Sequence, residues 1–157
     1  MVAGNIPDEH REWFEATIAP HVDGDRVRYQ GPVDDVQKCG LLGAAAALLM
    51  PVMWEEPFGI VMAEAMACGT PVIGFNRGAI PEVIAEGATG YIVDTVAEMA
   101  GAVARIPALS RTACRARAER LYSDTAIVEG YLQLYAGLTE RVRGVTGHLG
   151  ARSAAAG

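Results

Sequence analysis

What this sequence lacks narrows it first. No apolar run reaches the roughly 18 to 20 residues that a membrane-spanning helix needs, and the N-terminus carries no secretory pattern. The expectation is a cytoplasmic chain whose membrane contact is at most peripheral. Positive charge is scarce: 13 Lys and Arg against 19 Asp and Glu leave a net charge of −6. Broad contact with a phosphate backbone needs clustered cations, so nucleic acid is excluded as a partner. The three cysteines, Cys39, Cys68 and Cys114, are odd in number, unpaired in spacing and set in helical or apolar contexts. They read as buried thiols of a reducing compartment, not as disulfide halves or metal ligands. His10, His21 and His148 fall in polar or tail segments with no partner in view, which makes them surface residues and not bases. No Gly-x-Gly-x-x-Gly follows a strand-like run, which argues against a dinucleotide-dependent oxidoreductase. No internal repeat is present.

What is there fits one domain. With 157 residues, 51% of them hydrophobic, the chain is long enough to bury roughly 70% of its unfolded surface. The expected domain runs over 1–143, and 144–157, small, polar or repetitive, reads as a flexible tail. The most informative stretch is Pro51 to Phe75, PVMWEEPFGIVMAEAMACGTPVIGF, which reads as loop, helix, turn and strand. Between Pro57 and Gly69 the only polar side chain is Glu64. A helix apolar all round is a buried one, and a carboxylate in it needs a hydrogen-bond partner, for which a ligand hydroxyl would serve. Glu56 lies in the loop that leads into this helix. Its neighbours Pro57, Phe58 and Gly59 imply a fixed turn at a helix N-terminus, where backbone N–H groups and the positive end of the dipole attract phosphate oxygens. Gly59 lets that backbone approach a ligand closely.

Read in order, Met1 to Ala3 looks like a strand end and Asp8 to about Ala19 like a helix carrying Trp13, Phe14 and Ile18 inward. Arg26 to Gln30 reads as a strand, and Asp34 or Asp35 caps a helix to about Ala45. Ala46 to Met50 and Pro71 to Phe75 are continuous apolar runs, the mark of strands covered on both faces. A short helix from Ile80, a strand Tyr91 to Val93 and a helix from Asp94 or Thr95 to Arg105 follow. Ser110 to Leu121 is a helix with Arg111, Arg115, Arg117 and Arg120 on its exposed, solvated side. A last helix capped by Ser123 or Asp124 has Ile127, Tyr131, Leu134, Tyr135 and Leu138 as an apolar stripe. Strands alternating with helices at this spacing predict an α/β fold with a doubly wound parallel sheet. Ligands bind such sheets at the carboxyl ends of the strands, the edge that carries Gly31 to Val33, Pro51 to Gly59 and Asn76 to Ile80. Gly31 and Val33 are candidates for lining a base pocket. Arg77, just past a strand end, is the better of two basic candidates there, the other being Lys38.

Glu56, seven residues and Glu64, with Pro57-Phe58-Gly59 after the first and Ala65-Met66-Ala67-Cys68-Gly69-Thr70-Pro71-Val72-Ile73 after the second, resemble the donor-site signature of the family 4 (group 1) glycosyltransferases. The likeness continues through Gly78-Ala79-Ile80-Pro81-Glu82-Val83-Ile84 and Gly87 to Val93, and more loosely over most of Met1 to Glu140. It implies the Rossmann-like C-terminal half of a GT-B fold and transfer of a sugar from a nucleotide-diphospho-sugar with retention of configuration, with neither metal nor cofactor. By position it implies that Glu56 binds hexose hydroxyls and is the catalytic residue, that Phe58 with Gly59 meets the hexose and diphosphate, and that Glu64 binds the ribose. Pro57 and Ile60 complete that loop, and Glu55 receives no role. In that family the domain begins with a strand–helix unit bearing a diphosphate-neutralising Arg and Lys, on the order of 30 residues, and Met1 to Gly4 resembles the strand after it, so the expectation is that this chain lacks that unit and the acceptor-binding N-terminal domain. The chain is then expected to be a fragment, a split half completed by another polypeptide, or a domain whose sheet is rearranged or paired with a second copy. A homo-oligomer is therefore among the expected assemblies. A non-catalytic nucleotide- or sugar-binding module, or an activating subunit of a split transferase, is the alternative function.

Overall fold

The computed structural model describes residues 1–153, with side chains as far as Thr139. The chain divides into two compact units, Met1–Ala46 and Ala47–Gly157.

In the first unit, a 3-10 turn at Asp8–His10 leads into helix α1 (Arg11–Thr17), and a second 3-10 turn follows at Ala19–His21. Helix α1 ends at Thr17, two residues short of the expected Ala19, and Pro20 sits inside the following 3-10 turn, near its start, where its missing N–H costs no helical bond. Phe14 packs on Tyr29 with ring centroids 5.0 Å apart, but Trp13, expected inward, is exposed. The two strands expected at 1–3 and 26–30 reduce to a single parallel bridge between Val2 and Tyr29. The reason lies in the turn before it. Asp23 Oδ1 accepts the N–H groups of Asp25 and Val27 at 2.9 Å each, and Gly24 N–H donates to the Val27 carbonyl at 3.0 Å, so both backbone groups of Val27 belong to the turn. Those N–H groups also hold the Asp23 carboxyl below its ordinary value of 3.8. Helix α2 (Asp35–Ala44) settles the choice of cap: Asp34 accepts from Gln37 N–H at 2.8 Å, and the Gln37 side chain accepts from Asp34 N–H at 3.0 Å, a reciprocal capping box. Cys39, on α2, is exposed and not buried as expected.

The second unit is built on three parallel strands, β1 (Leu48–Met50), β2 (Val72–Phe75) and β3 (Gly90–Val93), in that spatial order. Leu48 pairs with Val72, and Ile73 with Tyr91. Every residue of the central strand β2 is buried, as its unbroken apolar run requires for a strand covered on both faces. Alternation along β2 sends Ile73 and Phe75 to one face, where they cluster with Tyr91, Val93 and with Met99 and Ala102 of helix α5 (Val96–Val103). The opposite face carries Gly74, where an added Cβ would lie 2.7 Å from the Ile80 side chain. Ile80 opens the one-turn helix α4 (Ile80–Val83). Helix α3 (Ile60–Ala67) joins β1 to β2 and packs chiefly on α6 (Arg111–Tyr122). Thr95 and Ser110 cap α5 and α6 through their hydroxyls.

Ser123 Oγ accepts from Ala126 N–H at 3.2 Å as the last helix begins; α7 spans Asp124–Ser153. Its stripe of Ile127, Tyr131, Leu134, Tyr135 and Leu138 is exposed. The residues expected to form a tail, 144–157, all lie beyond the described side chains, and 154–157 lie outside the described residues altogether.

Candidate functional site

Two loops leave the carboxyl ends of neighbouring strands in the second unit, Pro51 to Gly59 after β1 and Asn76 to Ala79 after β2. They are bonded to each other. Ala79 N–H donates to the Glu56 carbonyl at 2.8 Å, and Gly78 N–H donates to Glu55 Oε2 at 2.6 Å. Gly78 has φ +52°, and an added Cβ would collide with the backbone of Glu56, so only glycine allows the loops to meet this closely. Arg77 occupies the same turn and is exposed. Glu55, to which the sequence assigned nothing, is therefore the side chain that ties Arg77's turn to the Glu56 loop. No local pattern could have announced this, because the acceptor and donor are 23 residues apart.

Glu56 is half-buried, and its Oε2 accepts the indole N–H of Trp54 at 3.0 Å. Three residues on, Gly59 holds the N-cap position of α3 at φ +70°. A Cβ there would lie 2.7 Å from the end of Met62 and 3.3 Å from Cγ of Glu56. No side chain caps α3. Met62 N–H turns back to the Gly59 carbonyl at 2.8 Å, whereas the N–H groups of Ile60 and Val61 precede any intrahelical acceptor, an arrangement that favours an anion.

Helix α3 is not enclosed all round. Met62, Ala65 and Met66 are its buried face, Ile60 is exposed and Glu64 is half-buried. A carboxylate on a half-open flank carries a smaller desolvation penalty than the fully buried acid read from the sequence. Glu64 lines a cavity of about 390 Å³ together with Phe58, Ile60, Arg115, Glu119 and Tyr122, among others. The Phe58 ring meets the edge of Tyr122 at 5.5 Å and 73°, which fixes the side chain next to Gly59. Phe58, Ile60 and Glu64 thus share one cavity. Glu56, Pro57 and Gly59 belong to the adjoining loop, and Arg77 to the turn bonded to it. Gly31, at φ +75°, and Val33 belong to the first unit, where the Gly31 carbonyl accepts from Gly4 N–H at 2.8 Å. Lys38 pairs with Asp35 at 3.1 Å.

The arginines of α6 do more than the sequence reading gave them. Arg111, Arg115 and Arg120 are exposed, as expected, and Arg117 is half-buried, yet three of the four also donate to backbone or side-chain acceptors of neighbouring elements. Arg115 Nη1 donates to the Ala67 carbonyl at 2.9 Å, at the end of α3, while its Nε donates to Glu119 at 2.6 Å. Arg117 donates to the carbonyls of Val83 and Glu82 at 2.8 and 2.9 Å, closing the end of α4. Arg111 donates to the buried Thr70 hydroxyl at 2.9 Å. Cations at helix C-termini also complement the dipole there.

A parallel α/β unit of this kind, with Glu56 in the loop after β1 and Glu64 on the helix that follows, matches the C-terminal portion of a GT-B glycosyltransferase. The family described as "Glycosyl transferases group 1" matches residues 1–108, and the chain belongs to it. It is 45% identical over 74 residues to N-acetyl-alpha-D-glucosaminyl L-malate synthase of Bacillus anthracis, a match covering 47% of this chain and 18% of that protein. Among solved structures it resembles sucrose-phosphate synthase from Thermosynechococcus elongatus, with TM-score 0.72, 33% identity and coverage of 88% of this chain and 37% of that one. Anabaena HepE, solved in complex with UDP and glucose, shares the fold at TM-score 0.72 and 20% identity, over 86% of this chain and 39% of that one. The chain thus spans about a fifth of that curated relative and under two fifths of those solved chains. Among the described residues no helix is long and apolar enough to cross a membrane.

Proposed function

We propose that this chain is the donor-binding half of a retaining glycosyltransferase and holds a nucleotide-diphospho-sugar at the carboxyl edge of its sheet. The observation that carries the reading is the α3 N-terminus, uncapped and entered through a left-handed Gly59, with Glu56 in the loop before it and Glu64 on the flank after it. The N–H groups from Phe58 to Ile60 would stabilise the diphosphate as its charge grows on departure, an electrostatic contribution of the oxyanion type. Glu56 would orient the hexose by accepting hydroxyl protons, and Glu64 would accept those of the ribose. Both act as acceptors that fix geometry and not as a glycosidase acid and base. Arg77, in the turn bonded to Glu55 and Glu56, would offer the diphosphate a cation. The acceptor would be held by a second domain, in the same polypeptide or another.

A bound donor raises stability in proportion to the logarithm of its concentration over Kd. The melting temperature of the chain, followed with increasing UDP, GDP or ADP, is expected to climb for one nucleotide and stay level for inorganic phosphate. A melting temperature indifferent to all three nucleotides at millimolar concentration contradicts the donor site and favours a subunit that acts through a partner instead.

A further inference from the structure

Trp54 lies in the Pro51 to Gly59 loop, 61% exposed, with its indole N–H on Glu56 Oε2 at 3.0 Å. This inverts the usual arrangement. A tryptophan ordinarily buries its ring and leaves its polar edge for water or a partner at the boundary. Here the polar edge is directed to a half-buried carboxylate, and the large apolar ring is left in solvent beside it. The ring does not belong to the buried core, so core packing does not account for its orientation.

The backbone on either side is already fixed. The Glu55 carboxylate is held by Gly78, and the Glu56 carbonyl by Ala79. What remains free at Glu56 is its side-chain torsions, and the Trp54 N–H is what restrains them. Indole is a donor without an acceptor, so the bond occupies one oxygen of Glu56 and leaves the other to accept from a hydroxyl. A pyranose presents two kinds of surface, a rim of hydroxyls and a face of C–H groups. An aimed carboxylate next to an exposed aromatic face matches both, whereas a nucleotide without sugar needs neither.

We propose that Trp54 is the sugar-positioning residue of this site, its indole N–H aiming Glu56 at a hexose hydroxyl and its exposed ring receiving the apolar face of the same sugar. The inference rests on the reading of Glu56 as a hexose acceptor, and its test separates the two. Affinities of the chain are measured calorimetrically for UDP against UDP-glucose, GDP against GDP-mannose and ADP against ADP-glucose, in the wild type, Trp54→Phe, Trp54→Gln, Glu56→Ala and the Trp54→Phe/Glu56→Ala double variant. For the pair that binds, Trp54→Phe, which keeps a ring but loses the N–H, lowers affinity for the sugar conjugate about tenfold, the size of a lost bond to a charged group. Affinity for the bare nucleotide stays the same. Trp54→Gln, which keeps an N–H but loses the ring, also weakens only the conjugate. In the Glu56→Ala background, Trp54→Phe has no further effect, because its route through Glu56 is gone. The two Trp54 single variants melt with the wild type, since the replaced ring is exposed. Equal affinities for the conjugate in wild type and Trp54→Phe overturn the proposal, as does an undiminished effect in the double variant. Failure of the wild type to bind any nucleotide or conjugate overturns the donor reading itself, and this inference with it.

Discussion

Gly78 shows how a single backbone position can hold a site together. Its φ of +52° and its contact with the Glu56 backbone leave no room for a side chain, and the strain of left-handed backbone at a non-glycine residue costs on the order of 1–3 kcal/mol. Gly78→Ala is therefore expected to lower stability by about that amount in chemical denaturation and to weaken nucleotide binding, whereas Gly101→Ala, which meets nothing within 4 Å, leaves binding unchanged. Glu55→Ala removes the acceptor of the Gly78 N–H without touching the proposed ligand, so its binding defect should be restored largely by Glu55→Gln, which keeps a carbonyl oxygen in place. The demand for glycine at 59 was legible, because a Pro-Phe-Gly turn leading into an apolar helix has few other solutions. The job of Glu55 was not, because its partner is a backbone N–H on another loop. The cysteines divide in the same way: Cys114 is buried, Cys68 half-buried and Cys39 exposed. Alkylation of the native chain, followed by mass spectrometry, should modify Cys39 first and Cys114 last; prompt labelling of Cys114 would contradict the packing of α6.

Helix α6 acts as a brace. Its sequence, RTACRARAERLY, looks like a hydrated face because four arginines crowd twelve residues, yet Arg111, Arg115 and Arg117 each end on an acceptor from α3, α4 or the turn between α3 and β2. Charge patterning reports that a residue is ionised and not where its acceptor lies, and backbone carbonyls at 67, 82 and 83 leave no trace in composition. Caps, by contrast, were readable, since Asp34 with Gln37, Thr95 and Ser110 satisfy N–H groups within a few residues of themselves. The strands at 1–3 and 26–30 were overestimated for the opposite reason: alternation marks an extended segment, but the Asp23 turn takes the backbone groups of Val27 and leaves only the Val2–Tyr29 bridge. Replacement of Arg117 by Ala removes two charge-assisted bonds at the end of α4. An expected loss of about 1–2 kcal/mol, or a drop of roughly 3–6 °C in Tm, is checked by thermal unfolding. Arg120→Ala, for which no side-chain bond is recorded among the described residues, should change Tm by less than about 2 °C. Equal losses for the two would remove the brace.

At the scale of the molecule, the parallel order β1-β2-β3 follows from strands separated by helices and from apolar runs too continuous to face water. The positions of Glu56 and Glu64 on either side of a helix N-terminus follow from the same pattern. How they divide between a loop and a cavity flank does not, since that depends on the α3–α6 contact. Burial beneath α6 also gives the unit an alkaline weakness. Desolvation raises the Cys114 thiol above its ordinary 9.0, against a smaller lowering by Arg111. In the unfolded chain the thiol ionises first, so the stability it contributes is complete below about pH 9 and declines as pH rises through the folded value. Urea midpoints between pH 7 and 10.5 should fall more steeply for the wild type than for Cys114→Ala.

The central claim, that α3 and its flanking carboxylates form a nucleotide-sugar donor site, is tested most directly by calorimetric titration of the purified chain and of Glu64→Ala with UDP, GDP and ADP. The account predicts that one nucleotide binds the wild type and binds Glu64→Ala at least tenfold more weakly, because a charged acceptor of a ribose hydroxyl has been removed, while both proteins unfold at similar temperatures. Binding of equal strength in the two would place the nucleotide away from α3 and contradict the account.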